Sequence, residues 1–393
     1  MESIKDIFIV GNGPSSSHTM GPSFAIDYIL GKYKNIDYIE VILYGSLAFT
    51  GKGHLTDTII SKKLNNIKHE IFFDLKTKVD HPNTMEFKIK TKDGIFYEKI
   101  LSLGGGSIQI NNEKQVYKNI YKLHYLEDIL SYCAENNLSL LEYVLKFEDK
   151  NIMAYLENVY NTMINSIKEG SQKEGFLPGL LHVERKAKQM IENMNNSLFG
   201  DIESKVTIAS FAVSEENASG GIVATAPTCG SSGVIPGVIT YLLIKGISKT
   251  KIIEGLAVGG LIGKIVKTNA SVSGAVGGCQ AEIGVACSMG AALIMHALNY
   301  NNYKIAQASE IALEHSLGLT CDPIQGYVQI PCIERNAIYA LKAINSASLA
   351  TLVDTSTSKI TFDNIVQTMY ETGNDLQKGY KETSKKGMSK IKF

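Results

Sequence analysis

The hydrophobic pattern of the chain changes once, between about residues 110 and 126. Before the change, β-rich runs at 38–44, 85–90 and 95–103 surround two predicted helices, at 22–33 and 55–64. The Asp93-Gly94 dipeptide between two of the runs predicts a hairpin. After the change, helical spacing replaces the alternation. The pattern predicts an α+β N-terminal domain followed by a mostly all-α C-terminal domain.

The predicted domain boundaries follow from this change. Residues 1–112 form the α+β domain, and residues 126–393 form the all-α domain. Residues 113–125 are predicted as a linker, because the stretch from 111 to 122 is polar and charged. A possible cap at Thr361 precedes a clear helical pattern near the end of the chain.

Composition favours a small-molecule partner. The 393 residues contain 39 Lys plus Arg and 39 Asp plus Glu, so charge favours neither nucleic acid nor an anionic membrane surface. The first six residues contain no apolar core, which predicts a cytoplasmic location. The most apolar stretches, 255–263 and 285–298, are too short to span a bilayer and are predicted as buried core helices.

Three of the six cysteines lie in runs of Gly, Pro and polar residues: Cys279, Cys321 and Cys332. The chain has no C-x2-C pair, which argues against zinc ribbons, thioredoxin-like sites and ferredoxin-type electron carriers. Three thiolates on separate turns can bind three irons of a cubane 4Fe-4S cluster and leave the fourth iron open as a Lewis acid. The three runs predict such a catalytic site.

Three histidine-bearing segments lie in the first domain. His18 follows a run of serines that leads straight into a predicted helix, whose positive end favours a carboxylate. His54 ends a second segment rich in small and hydroxyl residues, and His81 stands two residues before Asn83. Imidazoles suit acid-base chemistry near neutral pH, so these segments are candidate catalytic sites.

Taken together, these segments closely resemble the iron-sulfur-dependent L-serine dehydratases, also called L-serine ammonia-lyases, in their single-chain form. The resemblance covers nearly the whole chain. Its motifs are SSSHTMGP (15–22), GSLAFTGKGH (45–54), HPNTM (81–85), LGGG (103–106), EENASGG (215–221), APTCGSSGVIP (226–236), GGCQAEIG (277–284), EHSLGLTCDP (314–323), VQIPCIERNA (328–337) and YKETS (380–384).

The resemblance implies a 4Fe-4S cluster ligated by Cys279, Cys321 and Cys332. It further implies that the all-α domain holds the cluster and that the α+β domain closes over L-serine, which is converted to pyruvate and ammonia. A homodimer is expected from the family. The short first domain leaves no room for the ACT-type regulatory module that some members carry.

The matched motifs also supply the candidate residues of the reaction. His18, His54 and His81 are the candidate acid-base groups, and Asn83 is expected to orient the substrate. The substrate-binding candidates are Ser15, Ser16, Ser17, Thr19 and Lys52.

Four further residues receive supporting roles. His315, near Cys321 in the sequence, is a candidate neighbour of the cluster. Cys133, Cys229 and Cys287 fall outside the ligand pattern and are predicted as buried small hydrophobic residues, although Cys229 could also line the site.

Three alternatives stay open on the sequence. The same chemistry could act on L-threonine or L-cysteine, because one methyl group changes pocket affinity only about 10-fold to 200-fold. A non-enzymatic iron-sulfur sensor would leave the histidine and serine segments without a purpose. A pyridoxal phosphate lyase would leave the three cysteine motifs unexplained, and no lysine is marked as its Schiff base.

Overall fold

The structure, a computed structural model, describes residues 1–111, 113, 118–198, 200–382 and 386–392. The chain forms two compact units. The first, here called the α+β unit, contains Gly11–Tyr117 and Asn217–Ile222. The second, here called the helical unit, contains Met1–Val10, Lys118–Glu216 and Val223–Phe393. The predicted fold class, an α+β part followed by a mostly helical part, is confirmed.

Strands occur mainly in the first 110 residues, where the sequence alternates between apolar and polar side chains. In chain order the strands are β1 (Val10–Asn12), β2 (Ile36–Tyr44), β3 (Lys68–Asp74), β4 (Thr84–Thr91), β5 (Gly94–Gly104), β6 (Ser107–Ile110) and β7 (Ile222–Ala224). β1 and β7 form a small two-stranded sheet.

The other five strands form one sheet in the order β3-β2-β4-β5-β6. β2 pairs in parallel with β3, and all other neighbours in this sheet are antiparallel. Thr91 at the end of β4 lies opposite Gly94 at the start of β5. The hairpin predicted from Asp93-Gly94 is therefore confirmed.

Alternation along β2 builds the core of the α+β unit. Ile39, Val41 and Leu43 are fully buried, whereas the residues between them are partly exposed. Ile26 and Ile29 pack into the same core from a helix on the sheet. The helices of this unit are α1 (Gly21–Lys32), α2 (Gly45–Thr50) and α3 (Thr56–Leu64), so both helices predicted here are confirmed to within one residue at each end.

Helices dominate the rest of the chain, as the loss of alternation predicts. The last long helix begins at the predicted Thr361 cap, whose hydroxyl accepts a hydrogen bond from the Asn364 backbone N–H. The helices are α4 (Leu126–Glu135), α5 (Leu140–Phe147), α6 (Ile152–Gly170), α7 (Ala187–Glu192), α8 (Asp201–Ala218), α9 (Val234–Ile244), α10 (Lys249–Asn269), α11 (Gly274–Gly277), α12 (Val285–Ala297), α13 (Asn302–Glu314), α14 (Cys332–Leu352) and α15 (Phe362–Asp375).

Short turns of other helical types connect these elements. Two are π-helical, Ser16–Met20 and Gln280–Gly284. The 3-10 turns are Ile4–Asp6, Met194–Asn196, Ile324–Gly326, Thr355–Thr357, Lys378–Tyr380 and Gly387–Lys390.

Glycines allow α10 and α12 to approach each other closely. Gly255, Gly259 and Gly263 recur every fourth residue and therefore share one face of α10. A Cβ on Gly255 would lie 2.9 Å from the Leu293 carbonyl oxygen, and one on Gly259 would lie 2.8 Å from that of Met289. The two apolar stretches are thus buried core helices, as predicted. Within the described parts of the chain, no helix is long and apolar enough to cross a membrane.

The compact units differ from the predicted domain boundaries in three stretches. Ile4 and Phe8 lie fully buried in the core of the helical unit, although they precede the α+β sheet in the sequence. Tyr121, in the predicted linker, is 1% exposed and donates to Glu148 Oε1 at 2.8 Å. Asn217–Ile222 belongs to the α+β unit. These placements depend on contacts between distant residues, which a local sequence pattern does not carry.

Replacing Gly259 by Ala should lower the free energy of unfolding by about 1–3 kcal/mol, because the new methyl group must displace the Met289 backbone. Chemical denaturation followed by circular dichroism measures this. The matched control is Gly31→Ala on α1, where nothing lies within 4 Å of the new Cβ. That variant should be unchanged or more stable by up to about 1 kcal/mol. Equal stability of Gly259→Ala and wild type would contradict the packing argument.

Candidate active site

The serine-histidine loop of the α+β unit is the π-helical turn Ser16–Met20, which leads directly into α1. Ser15 precedes the turn, and its hydroxyl accepts a hydrogen bond from the His18 backbone N–H at 3.2 Å. The His18 ring lies between two hydroxyls, with Nδ1 2.8 Å from Ser17 Oγ and Nε2 2.9 Å from Ser46 Oγ. Both ring nitrogens of His18 are therefore held in place.

His18 and His54 form a pair with ring centroids 4.8 Å apart. Burial, followed by the charge of His54, lowers the pKa of His18 to about 3. Burial also lowers the pKa of His54. His54 Nδ1 lies 3.0 Å from the Thr50 carbonyl oxygen, which can only accept, so Nδ1 carries the proton and Nε2 the lone pair. Both imidazoles are neutral at physiological pH and offer a basic nitrogen.

Two threonines connect the histidine-bearing segments. Thr19 Oγ1 donates to the His54 carbonyl at 2.7 Å, and Thr56 Oγ1 donates to the His18 carbonyl at 2.6 Å. Both threonines are fully buried. The Thr19 hydroxyl thus holds the two segments together. Ser16 is partly exposed, and its hydroxyl makes no hydrogen bond to the described residues.

His81 and Asn83 lie in the short segment that immediately precedes β4. His81 Nδ1 accepts a hydrogen bond from the Asn83 backbone N–H at 3.2 Å. The Asn83 carbonyl accepts from the Ser102 N–H at 2.9 Å, and Ser102 Oγ donates to the Ser17 carbonyl at 2.7 Å. Asn83 Oδ1 is buried without a hydrogen-bond partner among the described residues. Ser102 therefore connects Asn83, whose Oδ1 has no partner among the described residues, to the serine-histidine loop.

Lys52 is placed differently from the other candidates. Its side chain is exposed, and its ammonium lies 5.4 Å from the ring centroid of Phe73. This cation-π contact favours a surface role, and the substrate-binding role of Lys52 stays a prediction.

Asn217 is a polar residue of the α+β unit that the sequence analysis did not single out. Asn12 Nδ2 donates to the Gly220 carbonyl at 2.9 Å, which holds the Asn217–Ile222 segment in this unit. A Cβ on Gly13 would lie 2.2 Å from Asn217 Oδ1. This oxygen is also buried without a partner in the described structure. Asn217 lies in the EENASGG motif (215–221), which was the available sequence signal for this residue.

Two of the three predicted cluster cysteines lie at helix starts in the helical unit. Cys279 follows Gly278, whose φ of +77° favours glycine, and precedes the π-helical turn Gln280–Gly284 that continues into α12. Cys332 is the first residue of α14. The partial positive charge at these two helix starts favours negative charge, and so favours thiolates.

Cys321 is held by a segment near the end of the chain. Its backbone N–H donates to the Tyr380 carbonyl at 2.8 Å, and the Glu382 N–H donates to the Cys321 carbonyl at 2.6 Å. Lys381 forms a parallel bridge with Cys321 between these bonds. The YKETS motif thus positions the second cysteine, although residues 383 and 384 lie outside the described part of the chain.

The three thiols lie in one site, because Glu282 acts on all of them and Cys279 acts on the other two. Burial is the main cause that raises the pKa of all three. At Cys321 the carboxylates of Glu282 and Glu382 raise the pKa further, followed by Cys279 and Cys332. Burial and Glu282 raise the pKa of Cys279 to about 12, against the opposing effect of Arg335.

This donor set fits a 4Fe-4S cluster. Cys279 and Cys321 are buried, and Cys332 is partly buried. A Cβ on Gly274 would lie 3.0 Å from Cys321 Sγ, so glycine leaves space beside that sulfur. Across the described ranges, no group of three His, Cys, Asp or Glu side chains is arranged to hold a single metal ion. In a cubane cluster each thiolate binds its own iron, so the three sulfurs need not converge on one point.

Two charged residues of the cysteine site were missed by the sequence analysis. Glu282 Oε1 accepts from Thr228 Oγ1 at 2.7 Å, and its Oε2 lies 3.8 Å from Cys321 Sγ. The Arg335 guanidinium donates to the Thr320 carbonyl at 2.8 Å, and its positive charge lowers the pKa of Cys279. Glu282 follows Cys279 by three residues, and Arg335 follows Cys332 by three residues. On a helix this spacing places the charged residue on the same face as its cysteine. That spacing was the available signal.

The other cysteines are buried, as predicted, since Cys133, Cys229 and Cys287 are at most 1% exposed. Burial and then Glu282 raise the pKa of Cys229, which places this thiol near the cluster site. The structure gives the predicted role of His315 no support. Its side chain is 61% exposed, and its Nδ1 lies 3.0 Å from the Ile311 carbonyl in its own helix.

The chain matches the models of two related protein chains. Residues 3–70 match the serine dehydratase beta chain, and residues 87–389 match the serine dehydratase alpha chain. The second match alone covers well over half of the 393 residues. The chain belongs to the serine dehydratase family.

Members of the serine dehydratase family are similar to this chain over almost its whole length. The L-serine dehydratase of Haemophilus influenzae is 38% identical, over 99% of this chain and 99% of the relative. L-serine dehydratase 2 of Escherichia coli is 36% identical, over 99% and 98%. The L-serine dehydratase of Helicobacter pylori strain J99 is 37% identical, over 99% and 98%.

This chain is shorter than the first of these serine dehydratases. Their alignment spans 450 positions, whereas this chain has 393 residues, so at least 57 positions (450 − 393) are filled only in the relative. The cysteine, histidine and serine motifs are nevertheless all present. The roles assigned to their individual residues stay predictions.

The low pKa of His18 predicts that the protein becomes less stable as the pH decreases. In the unfolded chain His18 has a pKa of about 6.5, whereas in the folded protein it is protonated only near pH about 3. Stability from this group is therefore complete above pH about 6.5 and decreases as the pH falls below it. At pH about 5 the loss is about 2 kcal/mol.

The variant His18→Asn should lose less stability than wild type between pH about 7.5 and 5, measured as Tm at several pH values. His315→Asn, which removes an exposed histidine, is the matched control and should leave the pH dependence of wild type unchanged. Identical pH dependence in wild type and His18→Asn would show that His18 is not held neutral by the fold.

Proposed function

We propose that this protein is an L-serine dehydratase that converts L-serine to pyruvate and ammonia, with a 4Fe-4S cluster bound by Cys279, Cys321 and Cys332. The observation that carries the proposal is that these three thiols share one site, in which Glu282 raises the pKa of all three and Cys279 raises the pKa of the other two. The names of the relatives, all L-serine dehydratases, support the substrate.

The helical unit supplies the cluster site in this proposal. When bound, a 4Fe-4S cluster held through three irons supplies an open iron as a Lewis acid for the substrate hydroxyl. Arg335 offers a positive charge beside Cys279, and the helix starts at Cys279 and Cys332 offer partial positive charge. These groups stabilise the deprotonated thiols that metal binding requires.

The α+β unit supplies the acid-base and binding groups. His18 and His54 are neutral, so either can accept the α-proton of the amino acid. The hydroxyls of the serine-histidine loop, at the amino end of α1, suit a carboxylate. Asn83 Oδ1 has no donor among the described residues and suits the substrate ammonium. In this proposal the histidine pair supplies the base, and His81 accepts a hydrogen bond from the Asn83 backbone N–H.

The reaction removes the elements of water from L-serine. The electron pair of the broken Cα–H bond forms the double bond to Cβ, and hydroxide leaves with the electron pair of the C–O bond. The resulting aminoacrylate tautomerises to an imine, and water hydrolyses the imine to pyruvate and ammonia. No net oxidation occurs, so the iron is required as a Lewis acid and not as an electron carrier.

Replacing any one of Cys279, Cys321 or Cys332 by Ala should abolish cluster retention and activity together, because each thiol binds a different iron. Iron and sulfide content, the visible absorbance of the cluster and pyruvate formation measure this after purification without oxygen. The matched control is Cys287→Ala on α12, which removes a fully buried cysteine outside the ligand set. Full iron content in any of the three ligand variants would contradict the assignment.

Pyruvate formation from L-serine by anaerobically purified protein tests the proposed activity. We expect pyruvate from the fresh sample and none after exposure to air and an iron chelator, with pyridoxal phosphate removed throughout. L-threonine and L-cysteine, tested in parallel, identify the preferred substrate. Absence of pyruvate from protein whose cluster is intact would overturn the activity and favour the sensor.

Two further expectations belong to this proposal. We expect a homodimer, which size-exclusion chromatography with light scattering measures directly. A reducing cytoplasm suits six cysteines that are all free thiols and an oxygen-sensitive cluster.

A further inference from the structure

Glu282 is a partly buried carboxylate of the cysteine site to which the proposed reaction assigns no role. It lies in the π-helical turn Gln280–Gly284, directly after Cys279. Its Oε2 lies 3.8 Å from Cys321 Sγ, and its charge raises the pKa of all three cysteine thiols. Glu282 therefore borders the same space as the three sulfurs.

The two oxygens of the Glu282 carboxylate are held differently. Oε1 accepts a hydrogen bond from Thr228 Oγ1 at 2.7 Å, which anchors the side chain. Among the described residues, only the thiol of Cys321 donates to Oε2, and a thiol is a weak donor. Oε2 is therefore the oxygen that is left for a further partner.

Two glycines leave space around this carboxylate. A Cβ on Gly230 would lie 3.1 Å from Oε1 of Glu282, and one on Gly274 would lie 2.4 Å from Oε2. The same Cβ on Gly274 would lie 3.0 Å from Cys321 Sγ. Glycine at position 274 thus keeps open the space that borders both the carboxylate oxygen and the sulfur.

Binding of the proposed cluster would remove the hydrogen bond at Oε2. A cysteine that binds iron has lost its thiol proton, so Cys321 would no longer donate to Glu282. The carboxylate would then face a thiolate and need a positive partner. The Arg335 guanidinium is directed elsewhere, 2.8 Å from the Thr320 carbonyl and 4.0 Å from Asp322. The iron that no cysteine binds is the positive group that remains.

We propose that Glu282 is a fourth protein ligand of the cluster, whose Oε2 binds the iron without a cysteine while the substrate site is empty. The inference rests on the proposed function, because it requires the cluster. Carboxylate oxygen is a known ligand of iron in proteins. L-serine then exchanges with Oε2: one iron-oxygen bond breaks, the bond to the substrate hydroxyl forms, and no electron is transferred. Thr228 keeps the released carboxylate nearby.

Electron paramagnetic resonance of the reduced cluster in 17O-labelled water tests this ligand. A water molecule on the iron couples its 17O nucleus to the unpaired electron, whereas a protein carboxylate does not. Substrate-free wild type, purified without oxygen, should show no such coupling. Glu282→Gln should show it, because the neutral amide is a poorer iron ligand and water takes its place.

Iron retention gives a second measurement on the same samples. Glu282→Gln should still bind a cluster through its three cysteines, but should retain the fourth iron about 10-fold less tightly against a chelator. The expected product is a three-iron cluster, which has its own resonance signal. Neither measurement depends on turnover of L-serine.

Two other acids near the cysteines serve as controls. Glu334→Gln removes an exposed carboxylate two residues after Cys332, 3.6 Å from the Lys186 ammonium, and should behave as wild type. Glu382→Gln removes the second acid that raises the pKa of Cys321 and Cys332, and should also give the wild-type spectrum. A change in Glu382→Gln alone would overturn the assignment to Glu282.

Equal 17O coupling in wild type and Glu282→Gln would overturn the proposal, and so would its absence from both. If Glu282→Gln retains no cluster, Glu282→Asp decides by the same comparison, because its carboxylate is one methylene too short. Absence of iron from wild type kept free of oxygen would overturn this proposal and the cluster together. An intact cluster that forms no pyruvate would overturn the proposed activity alone, and the spectra would still decide the role of Glu282.

Discussion

The burial of three thiols next to acidic side chains is the constraint on which the helical unit depends. Without metal, burial raises the pKa of Cys279, Cys321 and Cys332, so the site keeps its protons and adds little charge to the core. Binding of the proposed cluster would replace those protons and create negative charge in the interior. Arg335 and the two helix starts are the groups placed to offset that charge. The close glycine packing of α10 on α12 fixes the element into which the Cys279 turn continues.

In the α+β unit, burial keeps the imidazoles of His18 and His54 uncharged. His18 is fixed by hydroxyls at both nitrogens, and Thr19 and Thr56 tie its segment to that of His54. Two imidazoles so close together cannot both be protonated at low cost. The unit therefore holds neutral bases, and the amide oxygens of Asn83 and Asn217 have no hydrogen-bond donor among the residues that the structure describes.

The parts of the fold that the sequence predicted are those that depend on local pattern. Alternation of apolar residues located β2, β4 and β5, the Asp93-Gly94 turn located the hairpin, and Thr361 located the start of α15. The sequence did not reveal that Phe8 packs in the helical core, or that Asn217 belongs to the α+β unit. Both facts depend on which distant residues meet, and a single sequence carries no direct record of that.

The candidate site shows the same division between local and distant information. The three cysteines were found from the runs of Gly, Pro and polar residues around them and from the family resemblance, and the structure adds the nearby carboxylate of Glu282 and guanidinium of Arg335. Glu282 and Arg335 were visible as residues three positions after a cysteine, but spacing alone gave no reason to choose them. Sequence proximity alone suggested His315, whose side chain is 61% exposed, and its predicted role has no support in the structure.

The central claim is that three thiols hold a cluster with one open iron, and Mössbauer spectroscopy of anaerobic, 57Fe-labelled protein tests it most directly. We expect a 4Fe-4S spectrum in which one iron differs from the others and changes when L-serine is added. A cluster whose irons are all equivalent and insensitive to L-serine would contradict the open site. Absence of bound iron in protein kept free of oxygen would contradict the cluster itself.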